Sequence, residues 1–529
     1  MPSSQPEIVD FPELVIGVAA PIGVDLELLT ASIGRAPLEV DYTSEPLKLT
    51  AEMEKYKVLR PELIDEINKW QGKDIFNTYM RKMTEANALR KQYTDPALLA
   101  RIAIYAIQAK RAARSGDATK PFPRHAYIVR QFKRPEEIEL LRRVYGRRMI
   151  LISAYASAEQ RRRQIINRLQ LEVSTQTLPS ELSYKADQLI ERDGAEDNES
   201  LGQALRETFH RADVFVHGLN RLEMDAMIDR FFQAFFGRTD IAPSKAEFGM
   251  YTAKSASLRS TDLARQVGAA VLSTEGDIIT QSCNEVPRAH GGAYWDTEEP
   301  DFRDVKRGFD PNDTTKKEVL RDTIERLRNA NYLSASLLDH GSDHEIVEFL
   351  IAREDLKKRI PEGVLASSKV MDLTEFGRVV HAEMSAICDA ARIGRSIRGS
   401  TLYVTTFPCH NCAKHILASG VRRVVFIEPY TKSRAKELHP DEIEIEEETP
   451  EKVCFIPFMG ISPHRYREIF QKGRRKNAEG RARTWYYGSP RPLIEGGSPP
   501  TFYEEETLAL APLLGAITPS DKTQHAVEE

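Results

Sequence analysis

Four residues in the C-terminal half have the types and the spacing of a catalytic zinc site. His381 and Glu383 belong to a His-Ala-Glu triplet, and Cys409 and Cys412 belong to the later run Pro-Cys-His-Asn-Cys. A catalytic zinc ion takes three protein ligands and leaves a fourth tetrahedral position for water. The His and the two Cys residues supply those ligands, and Glu383 is spaced to act beside the metal as a general acid and base. The pattern therefore predicts bound Zn²⁺ with its own proton shuttle.

The order H-x-E followed by P-C-x-x-C is the signature of zinc-dependent deaminases. On these residues the region resembles the cytidine and deoxycytidylate deaminase family. A structural zinc site, or buried cysteines beside a core His, is the alternative. A structural site would need a fourth Cys or His at motif spacing and gives no reason for a carboxylate inside H-x-E. The double motif therefore favours the catalytic interpretation.

Two helices and two strands are predicted to position the motif. Apolar periodicity from Glu375 to Ile393 predicts a helix with the His-Ala-Glu triplet near its middle, and Cys412 to Ala418 predicts a second helix. The β-branched and aromatic runs Leu402 to Thr406 and Val421 to Ile427 predict strands. Two helices would thus bring three ligands to one metal.

A β-hairpin is predicted before the motif, from Val267 to Cys283, with its turn at Glu275-Gly276-Asp277. The family resemblance implies that Asn284, which follows the second strand, contacts the sugar of the substrate; a turn-forming Asn is the alternative. Cationic side chains and hydroxyl groups suit phosphate oxygens, although each could equally be a surface group. The candidates for phosphate contact are Arg259, Ser260 and Arg265.

A long insertion, about residues 286–374, separates the hairpin from the His-Ala-Glu helix. A connection of this length is usually functional, so the insertion could close over a polyphosphate or build an oligomer interface. His340 and His344 could hold a second metal together with Cys283 or His290, and surface histidines are the alternative.

The N-terminal half begins with a strand, a glycine turn and a helix, which is the arrangement of a P-loop. Leu14 to Ala20 predicts the strand and Leu26 to Ile33 the helix, with Gly17 and Gly23 as candidates for nucleotide contact. The two glycines are one residue too far apart, and Val and Asp take the places of the Lys and the hydroxyl residue. These departures argue against phosphotransfer. Asp25 could simply cap the helix, and a strand-helix unit without ligand stays open.

Strand and helix patterns alternate through the rest of this half. Strands are predicted at Ala126 to Val129 and Met149 to Ala156, and helices at Arg134 to Tyr145 and Arg221 to Phe236. Such alternation predicts a parallel α/β layer with helices on both faces. A boundary is predicted at Gly237 to Pro243.

Nearly the whole chain resembles the two-domain bacterial anti-phage dCTP deaminases. The resemblance rests on the degenerate P-loop, the segments YMRKMTEANALR and RRVYGRRMILISAYAS, and ADVFVHG before the deaminase motif. It implies an α/β protein with a degenerate P-loop nucleotide-kinase-like domain at 1–240 and a cytidine-deaminase-like α/β/α domain at 241–475. Residues 476–529 are predicted to be a docking arm and a disordered tail.

The same resemblance implies a function. Zn²⁺ and Glu383 would deaminate dCTP, dCMP or both to the deoxyuridine nucleotide and ammonia, which depletes dCTP in anti-phage defence. It also implies an inhibitory RNA or protein, a regulatory nucleotide at the N-terminal domain and a homo-oligomer. Two other hypotheses are an enzyme that edits a base within RNA or single-stranded DNA, and a nucleotide-regulated sensor that controls the deaminase.

Composition limits the classes of protein to which the chain can belong. The 529 residues are 41% hydrophobic and 29% charged, with a net charge of −5, so no overall excess of positive charge favours nucleic acid. Five cysteines do not make a disulfide framework, and the apolar run Leu14 to Ile22 is too short to span a bilayer. A cytoplasmic protein without membrane contact is therefore expected. The cysteines outside the zinc set are predicted to be buried thiols: Cys283, Cys388 and Cys454.

Overall fold

A computed structural model describes residues 11–172, 178–194, 196, 201–352, 362–430, 432–446, 448–494 and 502–514. The chain divides into two compact units. The first runs to Tyr251 and includes Ile427–Pro429 and the chain from Pro457 onward, and the second is Thr252–Phe426 with Tyr430–Ile456. Both units are α/β, as the sequence predicts.

The described residues form twelve strands, numbered here in chain order: β1 (Leu14–Ala19), β2 (Thr43–Lys48), β3 (His125–Arg130), β4 (Met149–Tyr155), β5 (Val214–His217), β6 (Gly268–Leu272), β7 (Ile278–Cys283), β8 (Thr401–Thr406), β9 (Arg423–Glu428), β10 (Ile443–Ile445), β11 (Val453–Pro457) and β12 (Gly460–Ile461). They make two six-stranded sheets, ordered β12-β5-β4-β1-β3-β2 and β10-β11-β9-β8-β6-β7.

The sheet of the first unit has β1 at its centre, hydrogen-bonded in parallel to β3 and β4. Strands β2 and β5 extend it in parallel on the two sides, and β12 adds an antiparallel edge beside β5. Every residue of β1 and β3 is buried, as expected of strands covered on both faces. The predicted parallel α/β layer is therefore confirmed for this unit.

Helices surround this sheet. They are Leu26–Arg35, Leu49–Met53, Pro61–Asn68, Ile75–Tyr93, Leu98–Ser115, Pro135–Tyr145, Ala158–Gln170, Pro179–Gly194, Leu205–Phe209, Arg221–Phe235, Lys245–Ser257, Pro463–Phe470 and Phe502–Leu514, with 3-10 turns at Ala36–Val40 and Gly146–Arg148. No helix in the described part of the chain is both long enough and apolar enough to cross a membrane.

The C-terminal helix Phe502–Leu514 packs on the helices Leu98–Ser115 and Pro135–Tyr145. Fully buried Arg111 donates hydrogen bonds of 2.8 Å to both carboxylate oxygens of Glu506 and also bonds Glu13. A buried guanidinium needs this many acceptors to offset the loss of its hydration. The sequence did not predict this helix within the C-terminal arm, and the end of the predicted tail, residues 515–529, lies outside the described residues.

The second unit contains the predicted hairpin, in which β6 and β7 pair antiparallel, and β8 pairs antiparallel with the other edge of β6. Its helices are Asp304–Arg307, Pro311–Asn329, Ala335–Leu338, Asp343–Leu350, Ala382–Arg392, His410–Ser419 and Ala435–Leu438, with a 3-10 turn at Lys369–Asp372. The long insertion buries apolar side chains of its own, among them Leu320, Ile324 and Ile346.

The units do not divide where the sequence suggests. The first continues through Gly237–Pro243 to Tyr251, and the chain from Pro457 to residue 475 lies in it rather than with the deaminase motif. The cause is long-range pairing, because Gly460 and Ile461 pair with Phe215 and Val214 of β5. A local pattern of two residues cannot signal such an edge strand.

Candidate zinc and active site

His381 stands immediately before a helix rather than inside one. The helix is Ala382–Arg392 and His381 is its N-cap residue, so the predicted start at Glu375 is wrong. Val380 is the reason: its backbone exchanges hydrogen bonds of 3.0 and 3.2 Å with Glu285 in an isolated β-bridge. Those backbone groups are unavailable to a helix, which can start only after them.

The two cysteines lie at the start of a second helix. Cys409 is the N-cap residue of His410–Ser419, and its sulfur accepts a hydrogen bond of 3.4 Å from the backbone N–H of Cys412. Both ligand groups therefore lie at helix N-termini. The partial positive charge at such an end favours a thiolate over a thiol, and the thiolate is the form that binds metal.

The three side chains form one compact set of ligand atoms. Nδ1 of His381 lies 3.4 Å from Sγ of Cys409 and 3.4 Å from Sγ of Cys412, and all three atoms lie within 4.8 Å of one another. Tetrahedral Zn²⁺, with bonds of about 2.3 Å to sulfur and about 2.0 Å to nitrogen, needs N–S separations of roughly 3.6 Å. The residues therefore fit zinc.

Hydrogen bonds among His381, Cys409 and Cys412 shift the pKa values of all three side chains. The hydrogen bond from Cys412, aided by His381, lowers the pKa of the Cys409 thiol to about 4. The hydrogen bond with Cys409 raises the pKa of His381 to about 9. The Cys412 thiol has a raised pKa because it donates to Cys409. Metal binding must release these protons, so the affinity for zinc falls as the pH falls.

Glu383 lies next to this set but is not one of the three ligands. Its side chain is buried, 4% exposed, and that burial raises the pKa of its carboxyl group to about 7. A carboxyl group with a pKa near neutrality can both accept and donate a proton, which general acid–base catalysis requires. The positive charge of a bound metal would shift the balance toward the carboxylate.

Hydroxyl groups fix the first site helix to the sheet. Thr280 Oγ1 donates 3.1 Å to the backbone carbonyl of Ala386, and the hydroxyls of Ser282 and Ser385 lie 2.6 Å apart. The residues predicted from sequence to act at the site did not include these. Thr280 and Ser282 are two residues apart on one strand and therefore point to the same face, which is the signal that could have found them.

Asn284 follows β7, as predicted, and its amide is already engaged within the protein. Nδ2 donates 2.6 Å to the carboxylate of Asp262 and 2.8 Å to the carbonyl of Arg265, and Oδ1 accepts 2.7 Å from the N–H of Val267. Both amide donors are thus used. The side chain fixes the segment 262–267, and its contact with a sugar stays a prediction.

The candidates for phosphate contact lie on the same segment of chain. Arg259 stacks on the ring of Trp295, with Cζ 4.9 Å from the ring centroid. Ser260 is buried, and its hydroxyl accepts a hydrogen bond from the N–H of Asp262. The Arg265 side chain is exposed, while its carbonyl binds Asn284. Contact of these residues with phosphate stays a prediction.

A second metal site does not form among the residues that the structure describes. There, the zinc set is the one group of three or more His, Cys, Asp or Glu side chains close enough to hold an ion. His340 instead stacks on Phe349, with ring centroids 3.7 Å apart. Cys283 and Cys454 are buried as predicted, whereas Cys388 is exposed, on the side of its helix opposite the buried Ala386 and Ala390.

The P-loop-like turn lies at the end of β1. Gly17 is inside the strand, paired with Val129 and Leu151, where an added Cβ would lie 2.6 Å from the Met149 side chain. Gly23 is in the turn, with φ +96°, a conformation that favours glycine. Asp25 caps the following helix by accepting 3.0 Å from the N–H of Leu28.

One backbone N–H group of this turn already donates a hydrogen bond to a carboxylate of the protein itself. Ile22 N–H donates 2.8 Å to Asp193, and Lys133 Nζ donates 2.6 Å to the other oxygen of that carboxylate and 2.9 Å to the carbonyl of Ala20. Lys133 and Asp193 are both buried. This pair was not predicted from the sequence, because it joins residues far apart in the chain without a local motif.

Part of the chain matches a known family model. Residues 243–428, which contain all four motif residues, match the family model described as the cytidine and deoxycytidylate deaminase zinc-binding region. This match and the ligand geometry confirm the prediction of Zn²⁺.

Individual relatives match over short stretches. The deoxycytidylate deaminase of Enterobacteria phage T2 is 51% identical over 55 residues, 10% of this chain and 29% of that protein. The ComE operon protein 2 of Bacillus subtilis (strain 168) is 33% identical over 91 residues, 15% of this chain and 48% of that protein. The chain thus spans less than half the length of these relatives.

A solved structure also aligns with part of the chain. The dCMP deaminase from the cyanophage S-TIM5 in complex with dCMP and dUMP is 18% identical, over 41% of this chain and 98% of that chain, with a TM-score of 0.22.

Proposed function

We propose that the protein is a zinc-dependent hydrolase that deaminates deoxycytidine nucleotides. The observation that carries this proposal is the buried carboxyl group of Glu383 beside the His381, Cys409 and Cys412 set. A metal held only for structure gives no reason to bury a carboxylic acid next to it, because that burial costs free energy. The matched relative from phage T2 is a deoxycytidylate deaminase, which supports the substrate class.

The reaction exchanges an amino group for an oxygen. His381, Cys409 and Cys412 would hold a zinc ion, which when bound would lower the pKa of a water molecule toward neutrality and so favour its attack on C4 of the base. Glu383 accepts the proton of that water, protonates N3 and delivers a proton to the departing amine. Water is consumed, the C4–N bond breaks, and the products are the deoxyuridine nucleotide and ammonia.

We propose dCTP as a substrate beside dCMP, and dCTP depletion in anti-phage defence as the biological role. Arg259, Ser260 and Arg265 are the candidate phosphate contacts. The insertion supports a polyphosphate substrate, because a connection of this length is usually functional and its described helices bury apolar side chains of their own.

The test is a panel of substrates given to the zinc-loaded protein: dCTP, dCMP and a cytosine-containing oligonucleotide. We expect deamination of the free nucleotides, and a Glu383→Gln variant with unchanged zinc content should lose roughly 100- to 10,000-fold in kcat. Glu318→Gln, which alters an exposed carboxylate in the insertion, is the matched control. Deamination of the oligonucleotide alone would assign the site to polynucleotide editing instead.

The defence role has its own test. Cells that carry the wild-type protein should lose dCTP after phage infection and restrict the phage, whereas cells with the Glu383→Gln protein should do neither. Phage restriction by the Glu383→Gln variant, with zinc retained, would mean that deamination is not the defensive act.

For the first unit we propose a degenerate P-loop kinase-like domain that binds a regulatory nucleotide and does not transfer phosphate. The central position of β1 supports the kinase-like assignment, and the Asp193 carboxylate on the Ile22 N–H argues against catalysis. We expect no phosphorylation of dCMP from ATP, and a deaminase rate that changes when nucleotides are added. If no nucleoside triphosphate changes the deaminase rate, the proposal that this domain binds a regulatory nucleotide is refuted.

A further inference from the structure

The C-terminal part of the first unit carries a concentration of positive charge. Between residues 472 and 483 the chain has six Lys and Arg residues and one acidic residue, in a protein whose net charge is −5. The six are Lys472, Arg474, Arg475, Lys476, Arg481 and Arg483. A local excess of this size opposes the average charge of the molecule and sets up a positive field at one place.

Residues 474–483 form a hairpin, called here the basic hairpin, that is held by its backbone. Lys476 and Ala482 form a β-bridge, and Arg483 N–H donates 2.9 Å to the carbonyl of Arg475. Asn477 closes the turn, since its Oδ1 accepts 2.8 Å from the N–H of Arg481. None of these bonds uses a cationic side chain. The Lys and Arg side chains can therefore be replaced without removing the bonds that shape the hairpin.

The basic hairpin lines a cavity of about 730 Å³, together with Arg238, Thr239 and Asp240. Arg238 is neutralised there, because its guanidinium pairs with Asp240 at 2.8 Å. Four other cations line the cavity, and no described residue gives any of them a carboxylate partner: Arg474, Arg475, Lys476 and Arg483.

The surroundings of Lys472 show the same excess of charge. Its Nζ donates 2.8 Å to the carbonyl of Arg238, and its pKa is lowered by burial and by the nearby charges of Arg475 and Arg230. Burial is the main cause of the lowered pKa, and the positive charge of Arg475 adds a repulsion that the Asp240 carboxylate only partly offsets. A bound anion would relieve it.

We propose that the basic hairpin and its cavity bind the phosphate groups of a polyanion. Guanidinium groups bind phosphate through paired N–H donors in a fixed plane, and three of the four cations that the described residues leave without a carboxylate are Arg. Several cations around one cavity suit several linked phosphates better than a single one. The sources of such a ligand are a single polynucleotide strand, for which exposed Tyr487 offers a face for base stacking, and a nucleoside triphosphate.

The proposal is tested with the full-length, zinc-loaded protein and three probes: a labelled 20-nucleotide RNA, the DNA strand of the same sequence, and ATP. The test variant is Arg474→Ala/Arg475→Ala. The matched control is Arg321→Ala/Arg326→Ala, which removes two exposed Arg residues from the helix Pro311–Asn329. Circular dichroism and dCMP deamination in the absence of polyanion should be the same for both variants and the wild type.

We expect the test variant to bind the strand roughly tenfold more weakly than the control at 0.15 M salt. Each phosphate that a cationic side chain neutralises releases about 0.7 counterions from a single strand, and the variant neutralises two fewer phosphates. For the same reason, the slope of log K against log salt should become shallower by about 1.4.

The probes also distinguish the two sources of phosphate. Strand binding that depends on Arg474 and Arg475 supports the proposal with a polynucleotide as the ligand, and dependence seen for ATP alone supports it with a nucleotide. Absence of binding by all three probes overturns the proposal. Equal affinities of the two variants for every probe, with equal salt slopes, overturn it as well. Because every binding arm is independent of deamination, failure here leaves the proposed enzymatic function untouched.

Discussion

Replacement of Asn284 by Ala distinguishes a side chain that shapes the site from one that only touches substrate. The amide makes three hydrogen bonds within the protein, to Asp262, Arg265 and Val267, and the side chain is 4% exposed. The Ala variant loses all three bonds at once. The segment 262–267 would then lose the side chain that links it to the end of β7.

The free energy of unfolding that Asn284→Ala removes can be estimated for each hydrogen bond in turn. The bond to the Asp262 carboxylate involves a charged group and contributes about 1.5–3 kcal/mol, and the Val267 N–H left without its acceptor costs about 1 kcal/mol or more. The bond to Arg265 is discounted, because that residue is exposed and water can replace the amide. The sum is about 3 kcal/mol. For a unit of this size that loss lowers the melting temperature by roughly 6–12 °C.

The assay is thermal unfolding of zinc-loaded protein followed by circular dichroism, together with kcat and KM for dCMP. Asn329→Ala, at the exposed end of an insertion helix, is the matched control. An Asp262→Ala partner completes a double-mutant cycle, and the two substitutions should be non-additive by about 1.5–3 kcal/mol. An Asn284→Ala protein that melts like the control, with KM raised tenfold or more, would refute the structural role and make Asn284 a substrate contact alone.

Two further outcomes follow from the site and from the first sheet. Cys409→Ala should reduce bound zinc from about one ion per chain to a small fraction, because it removes one of three candidate ligands. Elemental analysis after dialysis measures the bound zinc. The control is Cys388→Ala, which removes an exposed thiol of the same unit and should retain the metal. Burial lowers the pKa of His125 to about 4, so the native state holds this ring neutral while the unfolded chain protonates near pH 6.5. The contribution of this neutral ring to the free energy of unfolding should therefore be fully present above pH 6.5 and fall by up to about 3 kcal/mol toward pH 4. Urea unfolding at a series of pH values measures that loss, and a His125→Gln variant should show a shallower one.

The group of side chains that fits zinc could be predicted from sequence because zinc chemistry fixes both residue type and spacing. Cys409 and Cys412 share one helix turn, so their separation is set locally. The alternation of strands and helices in the first unit was equally predictable, since parallel strands buried on both faces are nearly continuous apolar runs. Leu14–Ala19 and Met149–Tyr155 are such runs.

Contacts between distant parts of the chain were beyond local patterns. Lys133 and Asp193 form an ion pair next to the P-loop-like turn after β1, where Asp193 accepts a hydrogen bond from Ile22. Only the tertiary fold brings these residues together. Gly460 and Ile461 become a strand only because β5 offers an unpaired edge. The engagement of Asn284 was hidden for a similar reason, because its partners lie on the segment before β6 rather than next to it in sequence.

The position of the first site helix connects fold to chemistry. Apolar periodicity extends the helix back toward Glu375, which would place His381 at mid-helix, with its neighbours' N–H groups used in the helix itself. The bridge between Val380 and Glu285 stops that extension. His381 thus becomes the N-cap residue, and the positive end of the helix lies beside the two sulfur ligands. A β-bridge of two residues therefore determines both where the helix starts and how well the site favours thiolate ligands.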